Sequence, residues 1–424
     1  MDAALQERLK AQMAWEFARP GPPAGFPKFP DIPIARYTSD EFYDLEQRHL
    51  WTKVWVMAGR VEDVARPGDY MTFDDLGLPI LLVRGEDGVL RAFYNTCQHR
   101  GAPVVREKKG SARNLRCQYH SWTYDITKGQ LIQVPDERDF VGLCRDERGL
   151  VQIGCEVWQG WIFVNRDPDA PTLHEWFGPA LDQLDELAGD TLATIAVRSV
   201  TVPCNWKVTA EAFLEVYHFR HIHARGPAGG DTALDNRGAT MGLLPNGCSR
   251  MITPFSASAS KARGMADWSD WQHFTSPPFT DIDSISDVVR STSAAYGLFP
   301  NLISPLGSYG FPFLLFWPID KRTTKLDWIH YGPKDWEGDE LPEHWEKRMD
   351  GFDLIMGEDM MNMAPMQRSL ESPAMRGVPI NYQERRIWHL HEQIDRTIGT
   401  ERIPEALQVP QLLADYVERD PASA

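Results

Sequence analysis

The chain has no apolar run long enough to cross a bilayer. Its most apolar stretch, around Phe311 to Ile319, is interrupted by Pro312 and Pro318 and falls well short of the ~20 residues a membrane helix needs. The segment from Met1 to Phe17 carries Asp2, Glu7 and Glu16 and lacks an apolar signal core, a twin-arginine pair or an Arg/Ser-rich transit composition. A cytoplasmic protein without membrane contact is expected. Six cysteines in 424 residues are too few for a dense disulfide framework, and a cytosolic chain would keep them reduced, which leaves metal binding or packing as their use. Positive charge is also short: 44 basic against 60 acidic residues give a net charge of -16, a field that repels nucleic acid. A Gly-x-Gly-x-x-Gly dinucleotide motif and a plant-type Cys-x₄-Cys-x₂-Cys run are both missing, and no internal repeat stands out.

What is present fits a globular protein with room for two cores: 42% of residues are hydrophobic and 25% charged. Prolines 20, 22, 23, 27, 30 and 33 deny regular structure to residues 20–35, because proline lacks an amide donor and biases its predecessor to extended geometry. That stretch reads as a wrapped arm, and 1–44 as arm and helix. From about Trp55 to Arg166, short apolar runs (Val54 to Ala58, Pro79 to Val83, Val89 to Tyr94, Val157 to Val164) alternate with Gly/Asp clusters, which predicts a small all-β domain over 45–170. Residues 171–424 follow as a second domain. It opens with a strand over Leu192 to Val202 and a helical spacing over Asn205 to His223, then strands at Leu314 to Pro318 and Leu326 to Tyr331, then helices near 341–370 and 381–399. The fold class expected is α+β.

Two short elements in the first domain carry metal chemistry. They are Cys97-Gln-His99-Arg-Gly101 and Cys117-Gln-Tyr-His120-Ser-Trp122, with seventeen residues between His99 and Cys117. Two thiolates and two imidazoles form the set of a Rieske [2Fe–2S] centre, with the thiolates on one iron and the imidazoles on the other. A zinc finger instead groups a Cys pair and then a His pair, whereas each loop here mixes the two types. With His99-Arg100-Gly101 and His120-Ser121-Trp122 around the ligands, the segment resembles the two cluster loops of the Rieske family. Respiratory members carry an additional cysteine in each loop, and this chain does not, so the likeness is to the oxygenase and ferredoxin branch. Cys144, Cys155, Cys204 and Cys248 are isolated and read as packing residues.

The second domain contains Asn205-Trp-Lys, Glu211, Glu215-Val-Tyr-His218-Phe-Arg-His221-Ile-His223. Two imidazoles and a carboxylate with open positions make the facial triad of non-haem Fe(II) oxygenases. On a continuous helix Glu215 and His218 share a face, but His221 lies closer in rotation to His218 than His223 does. Either His221 is the ligand or the helix unwinds after Phe219. The segment resembles the mononuclear-iron motif of Rieske oxygenase catalytic subunits, and that resemblance places ligands at His218 and His223, a bridging acid at Glu215 and a catalytic role at Asn205. Many members have aspartate where this chain has Glu215. The same likeness puts the third ligand at Asp359, eight residues before Gln367-Arg368, with Glu358 as its neighbour and rival. Glu46-Gln-Arg-His49 paired with Glu215-Val-Tyr-His218 gives a formal di-iron alternative, but the proline-rich, strand-rich sequence is wrong for a helical bundle. His389 and His391 point to different helix faces and read as structural.

The resemblance implies an all-β Rieske domain followed by an α+β catalytic domain of helix-grip type with an antiparallel sheet. It implies that electrons from NAD(P)H arrive through a separate reductase, with or without a ferredoxin, and pass from the [2Fe–2S] cluster to a mononuclear Fe(II) that activates O₂. In that family the short electron route crosses a subunit interface, so His120 of one subunit would meet Glu215 of the next, in a homotrimer with or without a small β subunit. Pocket walls are expected from the stretch after His223, from Phe299 to Pro318 and from Met360 to Met366, segments that favour an aromatic or other apolar substrate. Ring dihydroxylation is the implied reaction. The alternatives are an N- or O-demethylating monooxygenase, which Glu215 favours, and an electron carrier without oxygenase activity.

Overall fold

The computed structural model describes residues 1–77, 79–223 and 233–418. Contacts group residues Trp51–Leu173 into one compact unit and Met1–Leu50 with His174–Ala424 into another. The 1–44 arm is therefore not a region apart, and the reason is its side chains. The helix Ala3–Ala18, capped by Asp2 on the Leu5 N–H, buries Leu5, Leu9 and Met13 along one stripe and lies against the strand Thr240–Leu243. Further on, buried Arg36 donates to Asp395 at 2.6 Å, and buried Glu46 meets Lys207 at 2.7 Å. That ion pair gives Glu46 a partner other than metal, which disposes of the di-iron alternative.

In the 51–173 unit a seven-stranded antiparallel sheet runs in the order Val56–Arg60, Trp161–Asn165, Gln152–Trp158, Leu90–Tyr94, Ile80–Arg84, Asp69–Phe73, Lys109–Ser111. The single apolar run read over Val157 to Val164 is two strands. Gln159 and Gly160, at φ 46° and 80°, make a two-residue reversal whose twist suits a tight hairpin. A small three-stranded sheet, Asn114–Arg116, Thr123–Asp125 and Leu131–Gln133, completes the unit. Its core joins Leu81, Val83, Phe93, Leu115 and Trp122 to the thiols of Cys97 and Cys117.

The other unit is built on seven antiparallel strands in the order Ala193–Val202, Thr323–Gly332, Phe311–Asp320, Leu302–Leu306, Thr292–Leu298, Ser249–Pro254, Thr240–Leu243. The long helix Glu343–Leu370 touches the first of these strands and the helix Arg385–Ile398 the last. The helix predicted over Asn205 to His223 is only Trp206–Glu211. Beyond it the Leu214 carbonyl accepts from Arg386 at 3.3 Å and the Val216 carbonyl from Asn236 at 3.2 Å, so distant side chains take the backbone groups that a helix would have used. None of the helices among the described residues is long and apolar enough to cross a membrane.

His389 and His391 sit inside this unit. His391 lies 2.8 Å from Glu211 through Nε2 and accepts from Arg36 at 2.9 Å through Nδ1, and Nε2 of His389 lies 2.8 Å from the Leu244 carbonyl. Burial lowers the pKa of His389 to about 4. Between there and the ~6.5 of an exposed imidazole, the unfolded chain binds a proton that the fold refuses, so stability falls as the pH drops through that window. His389→Gln is expected to remove about 3 kcal/mol of this acid-dependent loss. The check is urea unfolding between pH 6.5 and 4, where the variant's stability should vary with pH less steeply than the parent's.

Candidate metal centres and substrate cavity

The two Cys/His loops are the same turn made twice. In each, the cysteine N–H donates to a carbonyl five residues on (Ala102, Trp122), and its carbonyl accepts from an N–H four residues on (Gly101, Ser121), all at 2.9 Å. That closure needs a left-handed residue at the fourth place, supplied by Gly101 at φ 75° and by Ser121 at φ 62°. His99 and His120 therefore ride on matching loops, their ring centroids 4.6 Å apart. His99 stacks on Trp122 at 4.9 Å with an interplanar angle of 10°, and Phe140 meets its edge. The Tyr124 hydroxyl accepts from the Gln98 N–H at 2.9 Å and lies 3.3 Å from Cys97 Sγ. Burial raises the Cys97 thiol above its usual pKa; the Tyr124 hydrogen bond opposes this and the Cys117 thiol adds to it.

In the other unit, Glu215 organises the segment after the Trp206–Glu211 helix. Its carboxylate accepts from the backbone N–H of Tyr217 and of His218 and meets Nδ1 of His218. A turn closed by the His218 carbonyl, which accepts from the N–H groups of His221 and Ile222 at 2.8 and 2.9 Å, then leaves His221 exposed and buries His223. His223 and not His221 is thus the histidine brought beside His218, and the helix ends at Glu211 rather than after Phe219. Glu358 lies 2.8 Å from Nδ1 of His223. Each imidazole thus has its Nδ1 on a carboxylate, and the two Nε2 atoms lie 3.3 Å apart, each 3.5 Å from Oδ1 of Asp359.

These three side chains form the one group with metal-ligand geometry among the described residues, with candidate ligand atoms all within 4.8 Å of one another. Burial opposes a charge on His218, but the Glu215 hydrogen bond and the carboxylates around it keep its pKa above the usual value. Asp359 is pushed up to about 6 by burial, partly offset by His218 and His223. Glu358, a rival in the sequence, has a separate task as the partner of His223.

Asn205 is not brought to this cluster. Its side chain caps the Trp206–Glu211 helix and donates to the carbonyls of Tyr37 and Lys321, while its N–H donates to Gln367 at 2.8 Å. A cavity of about 430 Å³ opens on His218, His223 and Asp359. Phe213, Phe219, Ile303, Leu314 and Phe352 contribute apolar wall. The Phe299 to Pro318 strands supply part of that wall, as expected. Of Met360 to Met366, Asn362, Met363 and Met366 line another recess, beside Glu215, His218 and Asp359, whereas on the cavity with His223 the face of the long helix comes earlier, at Arg348, Phe352, Ile355, Met356 and Asp359. The stretch directly after His223 (224–232) lies outside the described residues, and Ala233 and Leu234 beyond it line the cavity.

Residues 54–150 match the family model of the Rieske [2Fe-2S] domain, and residues 189–400 that of the ring hydroxylating alpha subunit catalytic domain. The chain belongs to the ring-hydroxylating alpha-subunit family. It is 36% identical over 188 residues to the biphenyl 2,3-dioxygenase subunit alpha of Rhodococcus jostii (strain RHA1), a match covering 43% of this chain and 41% of that one. It is 30% identical over 237 residues to the 2-aminobenzenesulfonate 2,3-dioxygenase subunit alpha of Alcaligenes sp., covering 55% and 60%. These matches span about two fifths to three fifths of the relatives' length. In fold it is similar to the quaternary ammonium Rieske monooxygenase CntA in complex with L-carnitine (TM-score 0.70, 21% identity, 89% of this chain and 99% of that one). It is similar also to naphthalene 1,2-dioxygenase from Rhodococcus sp. (TM-score 0.68, 19% identity, 94% and 99%).

The side chains fit both groups that the family carries. Among the described residues Nδ1 of His99 is buried with no hydrogen-bond partner, an orphan that a metal would satisfy, and Cys97 and Cys117 are buried free thiols in the same core. Two imidazoles oriented by carboxylates, with a carboxylate facing them, are the donors of a mononuclear Fe(II) site. Anaerobically reconstituted protein is expected to hold about three irons per chain, and Asp359→Ala about two, with the visible spectrum of the cluster unchanged. Glu358→Ala should weaken mononuclear iron binding by about 10–100-fold through His223. Iron analysis at graded chelator concentrations reads both effects.

Proposed function

We propose that this chain is the oxygenase component of a multiprotein system that adds O₂-derived oxygen to an aromatic or other apolar substrate, with ring dihydroxylation as its reaction. The observation that carries this reading is the cavity itself, largely apolar and aromatic, with His218, His223 and Asp359 in its wall. Cys97, Cys117, His99 and His120 are the residues that would hold the cluster, and His218, His223 and Asp359 those that would hold the iron. When bound, these groups supply single electrons and O₂ activation.

The chain's own residues set the conditions for that chemistry. Glu215 and Glu358 each accept a proton-bearing Nδ1, which leaves the Nε2 lone pairs of His218 and His223 directed at one point beside Asp359. Phe213, Phe219 and Phe352 give that point an apolar, aromatic surround suited to a ring. Electrons come from NAD(P)H through a separate reductase, with or without a ferredoxin, in the cytoplasm. A homotrimer, with or without a small β subunit, brings the cluster of one subunit to the Glu215 side of the next.

A second reading, monooxygenation with loss of a methyl group from nitrogen or oxygen, is favoured by glutamate rather than aspartate at 215. Turnover with a compatible reductase, NAD(P)H and ¹⁸O₂ tests both. A cis-diol carrying two labelled atoms is expected, and formaldehyde release would move the assignment to demethylation. Failure to consume O₂ with any aromatic substrate, in protein that retains all its iron, would sink the proposal.

A further inference from the structure

The cavity has two cationic residues that the reading above does not use. Arg263 and Arg348 both line it, and the acidic residues sharing the wall are Glu358 and Asp359, each already committed to imidazoles. Among the described residues neither guanidinium forms an ion pair. Arg263 lies over the face of Phe255 at 3.9 Å, with Nη1 on the Ala259 carbonyl, and Arg348 lies 5.8 and 5.7 Å from the rings of Tyr309 and Phe352. Arg263 is exposed and Arg348 half-buried, so both stand toward the solvent side of the chamber. In a chain of net charge -16, two guanidiniums lining a largely apolar cavity with no carboxylate partner among the described residues leave their donors available to a ligand.

Their placement along the long helix adds a dimension. Arg348, Phe352, Ile355 and Asp359 follow a spacing of four, three and four residues, one face of the helix, and all four line the cavity. Eleven residues span about 16 Å of helix axis, so Arg348 and Asp359 are well separated. A carboxylate attached directly to a single ring does not reach from one end to the other, whereas an acid carried on a second ring or on a chain does. An ammonium substrate would meet two like charges and no uncommitted carboxylate in the described wall.

We propose that the cavity takes an elongated aromatic acid, a carboxylate or sulfonate, with its anionic group on Arg348 and Arg263 and its ring beside His218, His223 and Asp359. This rests on the same cavity being the substrate chamber.

The test compares ligands of one shape and different charge on the iron-loaded holoenzyme without turnover, under anaerobic conditions, by titration calorimetry. Biphenyl-4-carboxylate is expected to bind at least about tenfold more tightly than biphenyl-4-carboxamide, and more tightly than benzoate, because the guanidiniums reward the charge only at the far end. In Arg348→Gln, and more so in Arg263→Gln/Arg348→Gln, the ratio of acid to amide affinity should collapse toward one, with iron content and thermal midpoint confirming an intact fold. Equal affinities of acid and amide in the parent, tighter binding of benzoate, or a preference for biphenyl-4-methylammonium would each overturn the proposal. An acid preference that vanishes in the variants, together with no oxygenated product from any aromatic substrate, would leave this inference standing and reject the oxygenase reading instead.

Discussion

The catalytic unit depends on one arrangement: two imidazoles whose Nδ1 atoms are held by carboxylates, so that both Nε2 atoms face a third carboxylate. A histidine offered freely to a metal can rotate or switch tautomer, and an acceptor on its other nitrogen removes both freedoms. The three carboxylates come from two places, Glu215 next to the histidines in the chain and Glu358-Asp359 far from them. The long helix must therefore be docked in one register, since a rotation of 100° would exchange the roles of Glu358 and Asp359.

That register is fixed away from the cavity. Gln367, two turns beyond Asp359, accepts the Asn205 N–H, and the Asn205 side chain holds Tyr37 of the N-terminal arm and Lys321 of the last sheet hairpin. Lys207, two residues on, is buried against Glu46. Breaking such a buried pair on one side leaves an uncompensated charge, so the arm is tied to the short helix that precedes the ligand segment. The Asn-Trp-Lys motif thus serves the site through position, and its asparagine is a cap and a junction, not a residue of the reacting centre.

The chemistry was more legible in the sequence than the geometry. Cys97, His99, Cys117 and His120 declared themselves because mixed Cys/His loops at short spacing have few other uses, and the structure adds only that both loops close in the same way. The ligand segment was harder. Its apolar spacing from Val208 to Val216 is helical, yet the helix stops at Glu211, because Arg386 and Asn236, 172 and 20 residues away from the carbonyls they bind, take the hydrogen bonds that would have continued it. Periodicity counts local pairings and has no access to such competitors. Glu358 was seen only as an alternative to Asp359, since nothing in a linear sequence says that adjacent acids will serve different atoms of one histidine.

Fold likeness cannot choose a substrate here, because a monooxygenase of quaternary ammonium compounds and a naphthalene dioxygenase match this chain about equally well, at TM-scores of 0.70 and 0.68. A shared scaffold therefore leaves discrimination to a few wall residues. On the proposal made above, those residues are the aromatic rings of the cavity and the guanidiniums of Arg263 and Arg348. Binding a cation there would require desolvating it beside like charge, whereas binding a neutral hydrocarbon would leave both guanidiniums to solvent, as they already stand. An anion alone gains from them. Under that proposal charge and aromatic surface select together, and the separation of Arg348 from Asp359 along the helix would convert charge recognition into a choice of which ring carbon is presented.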